Sequence, residues 1–144
     1  MESTVLGLVL DSSVLIAAER AKLTTPKLMR NLRASAGVGD APFVISALTV
    51  AELAHGIYRA NTPERGQQRR QFLDEIKAHI PIHPITGATA EIIARIGGEQ
   101  AAQGNTIPFA DLIIGACALE LGYSIGTENH RDFSRIPGLN MIPL

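Results

Sequence analysis

Val5-Leu6-Gly7-Leu8-Val9-Leu10-Asp11-Ser12-Ser13 sets the fold. Val5–Leu10 is a continuous apolar run, and its abrupt end at Asp-Ser-Ser predicts a buried strand rather than a surface one. Asp11 marks the point where the chain leaves that strand. Apolar residues then recur at Val14, Leu15 and Ala18, the spacing of a helix face. A buried strand that passes directly into a helix is the first half of a β–α unit.

The same alternation continues along the chain. Thr25-Pro26 reads as a cap followed by proline at the first helical position, with a helix to Ala36, and Gly37–Pro42 is a turn. Phe43–Ser46 is a second strand, and Ser46 can cap a helix running to Ala60. Thr62-Pro63 repeats the cap-proline signal before a helix to Ile80. Ile82–Ile85 is a strand shortened or placed at an edge by Pro84. Thr86–Gln103 is a helix, weakened by Gly97-Gly98 at ~1 kcal/mol per glycine relative to alanine and stopped by Gly104. Pro108 opens and Gly122 closes the next helix. Tyr123–Gly126 is a strand, Arg131–Arg135 a helical turn and Leu139–Ile142 a last strand. Strands alternating with helices predict an α/β sandwich with a mainly parallel sheet, whose ligands sit outside the carboxyl ends of the strands.

Composition agrees with one such domain. The chain has 144 residues, 46% of them hydrophobic and 19% charged, which excludes a disordered chain. Lys plus Arg number 13 and Asp plus Glu 14, a net charge of −1 that does not by itself announce a nucleic-acid binder. Ten of the 13 bases nonetheless fall in two segments, Arg20–Arg33 and Arg59–Lys77. These are either solvated helix faces or a phosphate-tracking rim. The lone Cys117 cannot form an intramolecular disulfide, and the apolar run at Val5–Leu10 is too short for a secretory segment. Both point to a cytoplasmic protein that does not enter a membrane.

Four carboxylates fall where ligands of such a sheet are expected. Asp11 follows the first strand; it is either a turn and cap residue or a ligand at the sheet edge. Glu52 lies in the helix after the second strand and is open to a capping-box reading, Thr49-x-x-Glu52, although Ser46 is the better cap by position. Asp111, in the first turn of the helix opened by Pro108, gains ~0.3–1 kcal/mol from the positive helix end. Its apolar setting makes a carboxylate costly unless something pairs with it. Asp132 follows the Tyr123–Gly126 strand and on its own reads as a loop or capping acid. Two carboxylates ~5 Å apart repel by roughly 3 kcal/mol at an effective dielectric of 20. A cluster of four therefore calls for a cation or for protons. Oxygen ligands alone suit Mg²⁺ or Mn²⁺, and such a site can activate water against phosphorus.

Other motifs carry less. The four histidines have no metal-ligand spacing, Cys117 sits on an apolar helix as a small hydrophobe, and Ser12 and Ser13 either cap a helix or orient Asp11. No phosphate-binding P-loop or dinucleotide fingerprint is present.

Taken in order, four motifs resemble the PIN-domain family, and within it the VapC-type toxins of bacterial toxin–antitoxin pairs. They are Asp11-Ser12-Ser13-Val14-Leu15-Ile16; Ile45-Ser46 through Glu52-Leu53 with Gly56; Ile107-Pro108-Phe109-Ala110-Asp111 with Ile114-Gly115-Ala116-Cys117-Ala118; and Thr127-x-Asn129-x-x-Asp132-Phe133. The resemblance spans nearly the whole chain. It implies a three-layer α/β/α sandwich and an Mg²⁺-dependent endoribonuclease, with Mn²⁺ able to substitute, acting on tRNA or rRNA. Asp11 and Asp111 would be the principal metal ligands, Glu52 would complete the acidic site and position water, and Asp132 would be the fourth acid. Thr127 and Asn129 would shape the site and Ser13 would contact a ligand. The resemblance also implies a homodimer, and an antitoxin whose C-terminal segment covers the active site.

Two other readings compete. A phosphatase-like hydrolase would use Asp11 as nucleophile, but that chemistry wants a second acid two residues on, where this chain has Ser13. A catalytically silent module would use the acids to hold a partner's arginines.

Overall fold

Leu8, Val9 and Leu10 have no exposed surface at all, and they form the central strand of the sheet. A computed structural model describes residues 5–144. The elements run β1 (Leu8–Leu10), α1 (Ser12–Arg20), α2 (Thr25–Ala36), β2 (Phe43–Ser46), α3 (Ala47–Tyr58), α4 (Pro63–His79), β3 (Ile82–His83), α5 (Gly87–Ala102), α6 (Phe109–Leu121), β4 (Ser124–Thr127), α7 (His130–Phe133) and β5 (Met141–Pro143). The sheet order is β3-β2-β1-β4-β5, and each of its four pairings is parallel.

Strand periodicity sorts the core into two layers. Leu8 and Leu10 face the same side as Phe43 and Ile45, where Val14, Leu15, Leu28, Leu32, Leu53, Leu73 and Ile76 pack from α1–α4. Val9 points the other way and joins Ile125 against Ile93 and Ile96 of α5, Ile113 and Ile114 of α6, and Phe133 of α7. Helices therefore cover both faces of a parallel sheet, the three-layer arrangement expected from the sequence. Among the described residues no helix is long and apolar enough to cross a membrane.

Several boundaries differ from the expected ones, each for a local reason. The ladder of β1 starts at Leu8 rather than Val5; Leu6 is exposed, and Gly7 lies beneath the Tyr123 ring, where a Cβ would come within 2.4 Å of it. β3 stops at His83 because Pro84 has no N–H to continue it. β4 is shifted to Ser124–Thr127, and β5 to Met141–Pro143, an edge position where Pro143 loses no ladder bond. α3 ends at Tyr58 and the helical turn covers His130–Phe133. The cap of α2 is Thr24, which accepts from the Lys27 N–H, so Thr25 and Pro26 both lie inside the helix. Gly97 does not break α5; it lets the Leu112 methyl approach, a hypothetical Cβ lying 3.1 Å away.

Phe133 connects this packing to the sheet edge, since it is wholly buried and anchors the four-residue α7. Phe133→Ala is expected to lower unfolding stability by about 3–5 kcal/mol. Urea denaturation would show it as a lower midpoint at unchanged slope.

Candidate active site

The carboxyl ends of β1 and β4 lie side by side, and the chain leaves them toward opposite halves of the sheet. That is the topological switch point at which parallel sheets open a crevice. Asp11 is the residue after β1. Its N–H donates to the Gly126 carbonyl at 3.0 Å, which ties the strand end to β4. Asp11 occupies the cap position of α1, yet its side chain makes no capping bond. The buried carboxylate instead accepts from Ser13 Oγ at 2.7 Å and from Thr127 Oγ1 at 2.9 Å, both on Oδ2. Thr127, the last residue of β4 and fully buried, also accepts the Asn129 N–H at 2.8 Å. One hydroxyl thus fixes both Asp11 and the turn that leads to Asp132.

Glu52 is the sixth residue of α3 and is exposed. Ser46 caps this helix, accepting from the Leu48 N–H at 3.1 Å, so the capping-box alternative for Glu52 is removed. Ser12 Oγ donates to Glu52 Oε1 at 2.7 Å and lies 3.1 Å from Oγ1 of the buried Thr49. Ser12 and Thr49 are the two polar positions of the site whose part sequence reading missed. The signal was present in weak form: Ser12 adjoins Asp11, and Thr49 precedes Glu52 by one helical turn.

Asp111, the third residue of α6, is half-buried, and its carboxyl is pushed up to about 6 from an ordinary 3.8. Burial is the largest cause. The negative charges of Asp11 and Asp132, a hydrogen bond shared with the Asp132 carboxyl, and the charge of Glu52 follow. Asp132 sits in α7 with the Asn129 amide 3.4 Å from its Oδ2. The four acids therefore share one electrostatic environment, with Ser13, Thr127 and Asn129 among them. Among the described residues no lysine, arginine or histidine forms an ion pair with any of the four. Among the described residues, no three His, Cys, Asp or Glu side chains stand close enough together to enclose an ion as they are placed. Their donor set is oxygen alone, which suits a hard divalent cation rather than zinc.

A polar pocket of about 280 Å³ opens beside Glu52, lined by His55, Gly56, Arg59, Asn61 and Arg69. A broader groove of about 1350 Å³ runs between α1, α2 and α4 and is lined by none of the four acids. Away from these sites, Glu120, His83 and Cys117 belong to the scaffold. Glu120 accepts from Thr89 at 2.7 Å and pairs with His83 at 2.6 Å, and these two bonds hold its carboxyl below the usual range. Burial pushes the Cys117 thiol up to about 12, so it is an inert core group.

A family model described as PIN domain matches residues 8–139. The chain belongs to the PIN-domain family. It is 32% identical over 137 residues to the ribonuclease VapC1 of Rickettsia felis, covering 95% of this chain and 96% of that one. The PIN fold is shared with VapBC2 from Rickettsia felis, crystallised on a DNA fragment from its promoter, at a TM-score of 0.79 and 22% identity over 95% and 98% of the two chains. It is also shared with VapBC-5 of Mycobacterium tuberculosis, described as a member of the VapBC family of toxin–antitoxin systems. That match has a TM-score of 0.72 and 25% identity over 96% and 99%.

The raised Asp111 carboxyl has a consequence for stability. Between its unfolded value near 3.8 and its folded value of about 6, the native state holds the extra proton, so stability falls as pH rises through that window. With divalent ions chelated, Asp111→Asn should therefore melt at a higher temperature than the wild type at pH 7.5, and the gap should shrink toward pH 4. Thermal scans at the two pH values check it.

Proposed function

We propose that this chain is a Mg²⁺-dependent endoribonuclease, able to use Mn²⁺, and the toxin of a toxin–antitoxin pair. Its substrate is a structured RNA, tRNA or rRNA, in which it hydrolyses phosphodiester bonds. The observation that carries the proposal is the shared electrostatic environment of Asp11, Glu52, Asp111 and Asp132 at one sheet edge, where among the described residues no lysine, arginine or histidine pairs with them. The name carried by the Rickettsia felis relative supports the reaction class.

In this reading Asp11 and Asp111 are the principal metal ligands, and Glu52 and Asp132 complete the acidic set. The bound ion would offset the mutual repulsion of the acids, polarise the scissile phosphate and lower the pKa of water. Ser13 and Thr127 occupy Oδ2 of Asp11 and turn the rest of that carboxylate toward the crevice. Glu52, steadied at Oε1 by Ser12, has its second oxygen available to orient and deprotonate the attacking water. Asn129 steadies Asp132. The active form is a homodimer, and the C-terminal segment of the antitoxin covers the acidic edge. The toxin–antitoxin assignment of the Mycobacterium tuberculosis structure supports that partner.

Calorimetric titration with Mn²⁺ tests the centre directly. The wild type is expected to bind the ion and Asp111→Asn to lose it, with RNA cleavage in Mg²⁺ falling by at least about 100-fold and stopping in EDTA. Cleavage unchanged in Asp111→Asn, or a covalent phosphoryl adduct trapped on Asp11, would overturn the proposal. Thr127→Val removes one donor to Asp11 and the acceptor of the Asn129 N–H while keeping the side chain's shape. It should weaken Mn²⁺ binding about 10-fold, the usual penalty for losing a group that orients a ligand.

A further inference from the structure

Glu52, His55 and Gly56 are spaced i, i+3 and i+4 on α3, and Arg59, the residue that caps its C-terminus, continues the same stripe at i+7. The same four residues, with Asn61 and Arg69, line the polar pocket of about 280 Å³. One end of the stripe is an acid of the candidate centre and the other end is a guanidinium. About 10 Å of helix axis separate Glu52 from Arg59. The lack of a side chain at Gly56 keeps the pocket open between them. Arg69 reaches in from α4, where its Nη1 donates to the Gly56 carbonyl at 2.5 Å and its Nε lies 3.9 Å from Glu19. That bond covers a backbone carbonyl that would otherwise repel an anion near the C-terminal end of the helix. Arg59 is exposed and, among the described residues, forms no ion pair. The pocket therefore holds one fixed and one free guanidinium, with an imidazole and a side-chain amide beside them, directly next to a carboxylate of the centre.

We propose that this pocket is a subsite for a backbone phosphate of the RNA, neighbouring the phosphate that is cleaved at the acids. The inference rests on the ribonuclease reading and adds to it a place where the strand is gripped. Guanidinium groups match phosphate oxygens in charge and in fork geometry. Continuity with Glu52 puts the bound anion on the path of a chain already lying at the acids. Arg69 is held on two sides and positions the anion. Arg59 is free to close on it.

The test uses the chain without its partner and a fluorescein-labelled, mixed-sequence, single-stranded RNA 12-mer, in Ca²⁺ to supply a hard cation for the acids. Affinity is measured across a KCl series for the wild type, Arg59→Gln, Arg59→Lys and Arg30→Gln, the last altering an exposed base of α2 outside the pocket. Arg59→Gln should bind about 5-fold more weakly at moderate salt, and its log–log salt slope should fall by about 0.7, the value for one lost single-strand phosphate contact. Arg59→Lys should keep the slope, and Arg30→Gln should keep both affinity and slope. Wild-type slope and affinity in Arg59→Gln, or an equal loss in Arg30→Gln, would overturn the subsite while leaving the ribonuclease reading standing. Unchanged RNA binding with a weakened hold on the co-expressed antitoxin would assign the pocket to protein docking and overturn it too. Failure of the wild type to bind the 12-mer even at low salt would overturn the subsite, while the ribonuclease reading is tested separately by Mn²⁺ binding and cleavage in Asp111→Asn. Arg59 lies on the surface with no ion pair, so the folding of these variants is not in question.

Discussion

Repulsion among like charges at the carboxyl edge of the sheet is the constraint that organises the molecule. Two carboxylates ~5 Å apart oppose each other by roughly 3 kcal/mol at an effective dielectric of 20, and here four share one environment with no ion pair to any of them among the described residues. The fold holds the Asp11 carboxylate with two neutral donors, Ser13 and Thr127, and ties its backbone N–H to the Gly126 carbonyl. An arginine in that place would have quenched the charge. A hydroxyl fixes the carboxylate and leaves its negative potential in the crevice.

Burial supplies the rigidity that this arrangement needs. β1 is fully enclosed between two apolar layers, so the position of its last residue is set by the packing of both cores at once. The parallel topology then delivers the starts of α1, α6 and α7 to the same region. Helix N-termini favour ionised acids, and by that rule alone Asp111 should titrate low. Its carboxyl moves up instead, so desolvation and the neighbouring charges outweigh the helix end.

The alternation of strand and helix was legible because its signals are local: the apolar run at Val5–Leu10, the cap-proline pair at Thr62-Pro63, and the glycine at 122. The four acids could be picked out in order because Asp11 and Asp132 follow strands, while Asp111 and Glu52 lie in the first two turns of helices. Of the partners that hold them, Ser13 was legible as a candidate to orient Asp11, Thr127 and Asn129 came only through the family resemblance, and which acid those two meet was not legible. Ser12 meets Glu52 across 40 residues, and Thr127 meets Asp11 across 116, and nothing in residue spacing reports such contacts before the sheet order is known. Strand ends were misplaced by one to three residues. There the outcome depends on which backbone groups find a neighbour, as at Pro84 beyond the end of β3 and at Pro143 on the edge strand. The cap of α2 slipped from Thr25 to Thr24 for a similar reason. Thr25 is drawn into the core, where its hydroxyl finds no partner, and the residue before it is left to cap.

Net charge is the least informative number this sequence offers. A total of −1 averages over an acidic edge and a set of bases that the fold places beside it. The separation is sharpest on α3, where one helical stripe runs from Glu52 to Arg59. Opposite charges four residues apart on a helix would pair and cancel. Seven residues apart, with Gly56 between them and Arg69 turned to a backbone carbonyl, they stay apart and each keeps its own field. A polyanion approaching such a surface meets repulsion at one end of the stripe and attraction at the other. The proposed subsite follows from that division: it would set a phosphate on the guanidinium side, with a cation supplied at the acids.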